Sequence, residues 1–543
     1  MATTEAVLQR VERQDSARSE RDGGVRITAA LSLLAVAIHG YHPYVEDGGV
    51  YLSGIKHLLN PSLYSSGTSF VTVHLSFSLF APMVAEFMKT SRLDLMTVMF
   101  LLYVATVWLT LHAGWQIAIR SGATLRGRIG ATSLLALMLT VPIAGTSLML
   151  MDPYVTARSI STPFGLLALG YVMDVLDDAR DQRDMNWRSV VLCAGSLAIA
   201  CAMHPLMAAY SLGCVLMLAC VSMRNEKVSM AATVGLCVLS VVIAGCLEWL
   251  WPRPSAEYAR VAATRTYWFL SAWHWYEWIG LAAPLLVLAA VSFRKNADRS
   301  GTTRRLAVMS AMVGSSAILV ALLFARETSA SFLIARLQPL RVYQTIYLLM
   351  ILALGAYLGE VVLKRATMRW AGLFVLVGCA MLLVQETTFP NSAHVEFPWV
   401  SPANQWEQGF LWIRDHTPQS ATFAMDANYI TADGENSQNF RAIAERSALP
   451  DYAKDGGVAS IAPALTDEWL HGQATQDGLD EGLDAGRIAS LRALRVDWVV
   501  LTANTKAVLP CPYANNAVKV CRLSGYGSDS VGRGVRPVAL SSR

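Results

Sequence analysis

Long, nearly uncharged apolar stretches restrict the fold of this chain more than any other feature of its sequence. A helix that crosses the hydrocarbon core of a bilayer needs about 20 mostly apolar residues. Eleven segments meet this requirement with the help of their flanking residues, and they predict an α-helical polytopic membrane protein with about 11 transmembrane helices. The segments are residues 27–40, 95–119, 129–150, 162–176, 189–203, 206–223, 228–246, 276–293, 306–324, 340–362 and 370–384.

One further apolar stretch, residues 70–88, contains several polar side chains, among them His74 and Glu86. It is therefore predicted to lie along the membrane interface and not to cross it. With this segment left out of the count, connections rich in Lys and Arg alternate with connections that are poor in them. Because basic residues are retained on the cytoplasmic side, the alternation places the N-terminus inside and the C-terminus outside.

The charged residues are distributed unevenly along the chain. They make up 15% of the whole sequence, against about 25% in soluble chains, and they become frequent only after Glu386. This contrast predicts a basic cytoplasmic leader (1–26), a transmembrane domain (27–386) with a first exterior loop (41–94), and an exterior domain (387–543). Because the leader is long and the first apolar run is short, that run is interpreted as an uncleaved first span. A net charge of +4 without a basic stripe gives no indication of a nucleic-acid partner.

The predicted exterior domain shows both helical and strand patterns, which indicate a small α/β domain. Helical spacing covers residues 405–416 and 487–494, and apolar strand patterns cover 421–425, 497–501 and 518–522. Cys511 and Cys521 are the two cysteines of this polar region. An exterior compartment permits a disulfide between them, and two free thiols are the alternative.

Two acidic motifs follow the exterior ends of predicted spans. Glu46 and Asp47 come a few residues after the first span, and Asp152 comes before Pro153 in the next exterior loop. A carboxylate at the membrane boundary suits a general base or a metal ligand. A solvated loop end, or a turn residue before proline, explains the same residues without any chemistry.

Arginines on the same predicted side are candidates for binding an anion. Arg158 is close enough in sequence to pair with Asp152 or to bind an anion itself. Arg336 and Arg341 lie at the exterior mouth of a span, where arginine suits bidentate recognition of phosphate. The alternative for these two residues is an extended side chain that reaches the lipid headgroups.

Three aromatic features complete the set of candidates. His204 stands before Pro205 at an exterior turn, and Tyr51 lies in the first exterior loop. The run 267–278 contains four tryptophans and is typical of an interfacial aromatic belt, although it could also stack on sugar rings.

This layout resembles the C-type (GT-C fold) superfamily of membrane glycosyltransferases, which use polyprenyl-phosphate sugar donors. Those proteins have a first span, a long exterior loop with an acidic motif and interface helices, then many spans and often an exterior C-terminal domain. Glu46-Asp47 corresponds to the first acidic motif and Asp152 to the second. Residues 47–64, 152–163, 337–341 and 412–418 are also similar to bacterial members, most of them uncharacterised. The W-W-D signature of oligosaccharyltransferases is absent from the sequence.

The resemblance implies transfer of a sugar from a polyprenyl-phosphate donor to an exterior glycan, lipid or protein acceptor at the bacterial inner membrane. Asp47 is then the expected general base, and Glu46 and Asp152 support it. A divalent cation, Mg²⁺ or Mn²⁺, is the candidate cofactor, with Asp47 and Asp152 as its ligands. The expected substrate-binding residues are Arg158, Arg341, Arg336, His204 and Tyr51.

The alternative hypothesis is a non-catalytic membrane component of cell-envelope polysaccharide assembly or export. Such a component would share the architecture and would need no catalytic carboxylate. A transporter is less favoured because few charged residues lie inside the predicted spans.

Overall fold

The computed structural model describes residues 23–293, 301–431 and 438–523 of the 543-residue chain. Most of the predicted basic leader lies outside the described residues, and so do Arg294, Lys295 and Arg299 of one predicted basic connection and residues 524–543 of the predicted C-terminal domain. The helices, in chain order, are α1 Gly23–His39, α2 Asp47–Leu59, α3 Thr68–Thr72, α4 Phe80–Ser91, α5 Leu95–Arg120, α6 Leu125–Leu137, α7 Ala157–Arg180, α8 Trp187–Met203, α9 Pro205–Val221, α10 Glu226–Leu250, α11 Ala256–Ala263, α12 Trp275–Ser292, α13 Thr302–Phe324, α14 Leu333–Leu337, α15 Tyr343–Tyr357, α16 Thr367–Thr388, α17 Gln405–His416, α18 Phe440–Ala444, α19 Lys454–Ile461, α20 Thr466–Gln476 and α21 Ala485–Ala493.

Seven of the described helical segments are long and apolar enough to cross a membrane, as expected of a multi-pass membrane protein. Three further apolar helices, α1, α8 and α9, are shorter. Length and apolarity therefore support seven of the eleven predicted spans directly. The seven are α5, α7, α10, α12, α13, α16 and the stretch Leu333–Leu363, which contains α14, α15 and a final π-helical turn at Leu358–Leu363.

One predicted span is wrong as a continuous helix. The helix expected over residues 129–150 ends at Leu137, and a short antiparallel hairpin of β1 Pro142–Ile143 and β2 Leu148–Met149 follows it. The reason lies in the turn, where Gly145 has a positive φ of 61° and packs against Trp273. A helix cannot adopt this backbone conformation, which glycine takes without strain.

The segment predicted to lie at the interface forms two helices bent by 95°, α3 with the following 3₁₀ turn and then α4. Phe80 and Val84 of α4 are buried on the side that packs against α2, whereas Leu79, Met83 and Phe87 are more than half exposed. Each of these residues is four positions from the next, so the three form one stripe along the helix. Such a stripe suits a helix that lies on the lipid surface.

The aromatic run at 267–278 divides into a buried and an exposed part. Trp268 and Trp273 are buried inside the protein, whereas Trp275 and Tyr276 are 75% and 56% exposed. Trp249, at the end of α10, is 82% exposed on the same end of the helical region. Exposed tryptophan at helix ends is typical of a membrane–water boundary.

The C-terminal region forms a mixed five-stranded sheet in the order β4-β3-β5-β7-β6. Its strands are β3 Thr422–Ala424, β4 Ser447–Ala448, β5 Trp498–Thr502, β6 Tyr513–Ala514 and β7 Val518–Arg522. β3 pairs in parallel with β4 and β5, and β7 pairs antiparallel with β5 and β6. Cys511 and Cys521 are joined by a disulfide, with their Cα atoms 3.9 Å apart.

This C-terminal domain is seated on the first loop and on α2. Lys56 of α2 pairs with Glu445 at 2.7 Å, and the hydroxyl of Tyr64 donates to the carbonyl of Arg441 at 2.8 Å. The backbone N–H of Asn439 also donates to the carbonyl of Tyr44 at 3.2 Å. We call the end of the helical region that carries this domain the domain end.

The opposite end of the helical region is held by ion pairs between helices. Arg120 of α5 pairs with Asp174 of α7 at 2.9 Å, and Arg305 of α13 pairs with Asp177 of α7 at 2.6 Å. A mostly apolar cavity of about 390 Å³ lies beside them, between the ends of α5, α12, α13 and α15. It is far along the helices from both acidic motifs, so it does not belong to the candidate site.

Candidate functional site

The first acidic motif stands at the N-terminus of α2, with Glu46 at the cap and Asp47 as the first helical residue. A helix N-terminus stabilises negative charge. The two glycines that follow are helical, and they allow close approach. A side chain at Gly48 would collide with the carbonyl oxygen of Pro43, and one at Gly49 with Asn439 of the C-terminal domain. Glu46 itself has φ 54° and ψ −129°, an unfavourable backbone conformation for a residue with a side chain.

Lys454 of the C-terminal domain binds both carboxylates of this motif. Its Nζ contacts Glu46 and lies 3.3 Å from Oδ1 of Asp47. Burial opposes the charge on Asp47, but Lys454 and Arg158 outweigh it and lower the pKa of Asp47 to about 2. The same two carboxylates raise the pKa of Lys454 against the effect of its burial. Asp47 is therefore charged at neutral pH and already bound to a cation.

Asp47 lies in a recess. About half of its side chain, 52%, is open to solvent, yet the protein surrounds it closely enough for burial to affect its pKa. The side chain of Lys454 is only 17% exposed. The carboxylate is thus reachable by a small group while the ammonium beneath it is largely covered.

The backbone around Lys454 is held firmly from both sides. Arg265, from the connection after α11, donates to the carbonyls of Ala453 at 2.8 Å and Tyr452 at 3.0 Å. The carboxylate of Asp451 accepts from the backbone N–H of Lys454 at 2.6 Å, and the indole of Trp469 donates to the carbonyl of Asp451 at 2.8 Å. These contacts fix the position from which the lysine side chain extends.

The second acidic motif is a buried ion pair. Asp152 and Arg158 are 4% and 7% exposed, and the guanidinium donates to the carboxylate. Burial raises the pKa of Asp152, Arg158 opposes this, and the carboxylates of Asp47 and Glu46 add to the rise. Asp152 lies beneath the surface, so the geometry suits a role in holding Arg158 and not in touching a substrate.

Hydrogen bonds to the backbone place the loop that carries Asp152. The amide of Gln344 in α15 donates to the carbonyl of Leu150 at 2.8 Å and accepts from Thr162 of α7 at 3.2 Å. The backbone N–H of His42 donates to the carbonyl of Pro153 at 2.7 Å. The first loop, α7 and α15 are thereby joined around the second acidic motif.

Arg341 lies on a 3₁₀ turn, Pro339–Val342, just before α15. Glu248 accepts from the backbone N–H groups of Ser331 and Ile334 ahead of this turn, and the hydroxyl of Tyr210 donates to the carbonyl of Gln338 at 3.1 Å. Among the residues that the structure describes, none accepts a hydrogen bond from the guanidinium of Arg341, whose Nε is buried. A guanidinium on a firmly held turn, with no acceptor among the described residues, suits binding of an anion.

His204 is neutral and offers a single donor. Burial, together with the charges of Arg341 and Arg158, lowers its pKa to about 3. Its Nδ1 is 3.4 Å from the backbone N–H of Met207, which donates to it at the start of α9. The proton of the neutral ring is therefore on Nε2.

Tyr51 and His74 line the same region from the first loop. Their rings are 5.7 Å apart, and Phe80 of α4 packs edge-on against Tyr51 at 5.5 Å. Burial and the charge of Asp47 raise the pKa of the Tyr51 hydroxyl, so it stays protonated and can donate. His74 is close enough to Asp47 for the two to influence each other electrostatically.

The structure brings most of the predicted site residues together at the domain end. Mutual electrostatic effects connect the residues of the two acidic motifs, although the motifs are about a hundred positions apart in the sequence. Arg336 is the exception: its Nη1 donates to the carbonyl of Ile461 at 3.3 Å, and its guanidinium lies 5.7 Å from the ring of Trp251. The residues that lie together are Glu46, Asp47, Tyr51, Asp152, Arg158, His204 and Arg341.

The arrangement does not fit the expected divalent cation. Asp47 and Asp152 would have to share the metal, but Lys454 already binds the first and Arg158 the second. The described residues also contain no group of three or more His, Cys, Asp or Glu side chains placed to hold a metal ion. We therefore derive no chemical step through a metal.

Sequence reasoning missed Lys454 and His74. Lys454 lies 407 positions after Asp47 in an ordinary polar segment, and no local pattern distinguishes it. His74 stands within the segment predicted to lie on the interface, where a polar residue on an apolar helix could have been examined as a site residue.

No protein-family model matches this chain, and no curated protein matches it. The function is therefore inferred from the side chains of the site and their surroundings.

Proposed function

We propose that the protein is a membrane glycosyltransferase that moves a sugar from a polyprenyl-phosphate donor to an acceptor outside the membrane. The observation that carries the proposal is the meeting of two carboxylate motifs with Arg341 in one recess at the domain end. The guanidinium of Arg341 has no hydrogen-bond acceptor in the described part of the chain. A carboxylate can accept the proton of the acceptor, and an arginine can stabilise the negative charge on the departing phosphate.

Each residue of the site has a role in this reaction. Asp47 takes the proton of the acceptor hydroxyl, since one carboxylate base suffices for an inverting displacement at the sugar carbon. Arg341 and Arg158 bind the phosphate and stabilise the charge that develops on it as the sugar leaves. Asp152 holds Arg158 in place, and Nε2 of His204 is the ring nitrogen that would donate a hydrogen bond to a bound substrate.

The proposal includes the topology: about eleven spans, the N-terminus in the cytoplasm of a bacterium, and the C-terminal domain outside the inner membrane. Its support is the alternation of basic connections in the sequence together with the disulfide Cys511–Cys521, which persists in oxidising compartments.

The test is a transfer assay with the purified protein in liposomes and a polyprenyl-phosphate sugar. Asp47→Asn should lower the rate by a factor of about 10²–10⁴, the usual contribution of a positioned base. Glu46→Gln should have a smaller effect, because it removes only a neighbouring charge. If Asp47→Asn keeps the full rate, Asp47 is not the base.

The same assay separates binding from proton transfer. Arg341→Ala should raise KM for the donor more than it lowers kcat, because Arg341 binds phosphate. Arg336→Ala is the matched control. Arg336 is close to Arg341 in sequence, but its side chain lies apart from the recess, so its removal should leave KM nearly unchanged.

The second candidate is a non-catalytic component of cell-envelope polysaccharide assembly or export. One observation favours it: each carboxylate of the two motifs already has a cationic partner. A purified protein that binds polyprenyl phosphate, transfers no sugar and is unaffected by Asp47→Asn would support this candidate.

A further inference from the structure

The free protein holds its expected base in a state unsuited to catalysis. A general base works best when its pKa is near the operating pH. The pKa of Asp47 is instead about 2, and one of its oxygens is bound to the ammonium of Lys454. While Lys454 stays in this position, the Asp47 carboxylate is a weak base, and movement of Lys454 away from it would strengthen the base.

Lys454 can move without any change in its backbone. Its main chain is fixed by Arg265 and Asp451, but its ammonium stands at the end of four rotatable bonds. Among the described residues, the side chains paired with this ammonium are those of Glu46 and Asp47. A lysine side chain carries a compact ammonium on a flexible stem, so the ammonium can move from one anionic oxygen to another nearby.

A bound phosphate would offer such an anion. Arg158 and Arg341 lie near enough to Asp47 to lower its pKa, so a phosphate held by them would stand in the electrostatic reach of the same carboxylate and of Lys454. A phosphate placed beside the carboxylate pair also repels it, because like charges at short range disfavour each other.

We propose that Lys454 is a latch of the C-terminal domain, which pairs with Glu46 and Asp47 in the free protein and transfers to the phosphate of the bound donor. This proposal rests on the proposed function and deepens it. The transfer frees Asp47 to act as base only when a donor is present, and it adds a third cation to the leaving phosphate. Lys454 acts on the reaction through Asp47 and through the phosphate, as a positioning residue.

A zero-length carbodiimide cross-link tests the latch in the wild-type protein. The reagent joins a lysine to a carboxylate in contact with it, and peptide mass spectrometry identifies the product. We expect a cross-link from Lys454 to Glu46 or Asp47 in the free protein, and its loss when polyprenyl phosphate is added. The matched control is the pair Lys56–Glu445, which also joins the two domains and should cross-link equally under both conditions.

Two outcomes overturn the latch. One is a control cross-link at Lys56 without any at Lys454 in the free protein. The other is a Lys454 cross-link whose yield polyprenyl phosphate does not change. Neither outcome depends on sugar transfer, so the latch can fail while the transfer assay succeeds, and the transfer assay can fail while the latch responds to phosphate.

The pH profile of transfer supplies a second measurement. Removing the ammonium in Lys454→Met raises the pKa of Asp47 in the free protein, so the acid limb of the kcat/KM profile, which reports the free protein, should shift to higher pH. Lys454→Arg keeps the charge and should restore the position of that limb. An unchanged acid limb in Lys454→Met contradicts the proposal, since loss of a purely structural contact would lower the rate without moving the limb.

Discussion

Asp47 and Asp152 carry the same chemical group in opposite surroundings. Asp152 is 4% exposed and bound to one guanidinium, whereas the side chain of Asp47 is 52% exposed and bound to a long, movable lysine. A buried charge that loses its partner is costly, so Asp152 and Arg158 stay together. The environment thus separates a carboxylate that maintains the site from one that is open to a substrate.

A second pair of acids, Glu396 and Glu407, lies buried where the C-terminal domain joins the helical region. Burial raises the pKa of both, and the charge of Glu396 adds to the rise at Glu407. His42 lies beside this pair, with its Nδ1 3.1 Å from Glu396, and burial lowers the pKa of His42 to about 4. The Oε2 atoms of both glutamates have no hydrogen-bond partner among the described residues.

The acid pair predicts that the protein loses stability as the pH rises. A carboxyl whose pKa is raised in the folded state stabilises the fold fully below the ordinary glutamate pKa of 4.5, and this contribution is lost as the pH rises through the raised value. The loss is about 1.4 kcal/mol for each pKa unit of the shift. We expect the Tm in detergent to fall from weakly acidic to alkaline pH.

Glu407→Gln should flatten this dependence, because the amide cannot ionise. The exposed Asp415→Asn, in the same helix α17, is the control and should leave the slope of Tm against pH as it is. A wild-type Tm that is constant from pH 5 to 9 would show that the pair does not titrate as described.

At the scale of elements, α6 is held by contacts that only glycine permits. A Cβ at Gly355 of α15 would lie 2.5 Å from the carbonyl oxygen of Gly130, and a Cβ at Gly130 would lie 2.3 Å from that of Gly355. Small residues at such crossings let two helix backbones approach within a membrane. The short α6 is therefore fixed by α15 in spite of its length.

Gly355→Ala should destabilise the protein by about 1–3 kcal/mol, the usual cost of overpacking. Gly372→Ala is the matched control: no atom of the described residues lies within 4 Å of a Cβ at Gly372 in α16, so alanine should be neutral or slightly stabilising there. Thermal unfolding of both variants in the same detergent gives the comparison. Equal Tm values would mean that the two backbones separate at little cost.

The sequence predicts elements well where one local pattern dominates. The bounds of α17 and β7 coincide with the predicted segments 405–416 and 518–522, because apolar spacing and strand alternation act over a few residues. The segment 129–150 misleads for the opposite reason. Its apolar content suits a span, but the positive φ at Gly145 and the contact with Trp273 depend on a distant part of the chain.

At the scale of the whole molecule, the proposed topology predicts which positions are accessible from outside. A cysteine at the exposed Arg126, in the first turn of α6, should resist an impermeant thiol reagent in intact cells, and one at the exposed Glu468 of α20 should react. The unchanged protein measures the background from its native cysteines. Labelling of the Arg126 position in intact cells would reverse the orientation.

The candidate site could be predicted only in part. The loops after two spans identify Asp47 and Asp152, because their position relative to apolar segments is visible in the sequence. The partner of Asp47 is not visible there, since Lys454 comes from another domain and its role depends on how that domain is seated. The separate position of Arg336 likewise follows from its contact with Ile461, which no local pattern indicates.

The seating of the C-terminal domain on the first loop also has a consequence for synthesis of the chain. Asp47 and Lys454 are separated by 407 positions. At translation rates of about 5–20 residues per second, the acidic motif emerges roughly 20–80 seconds before its lysine. During that interval the two carboxylates have no cation from the last domain. A nascent or prematurely terminated chain therefore carries an incomplete site, and only a full-length copy can present the acidic motif in its final surroundings.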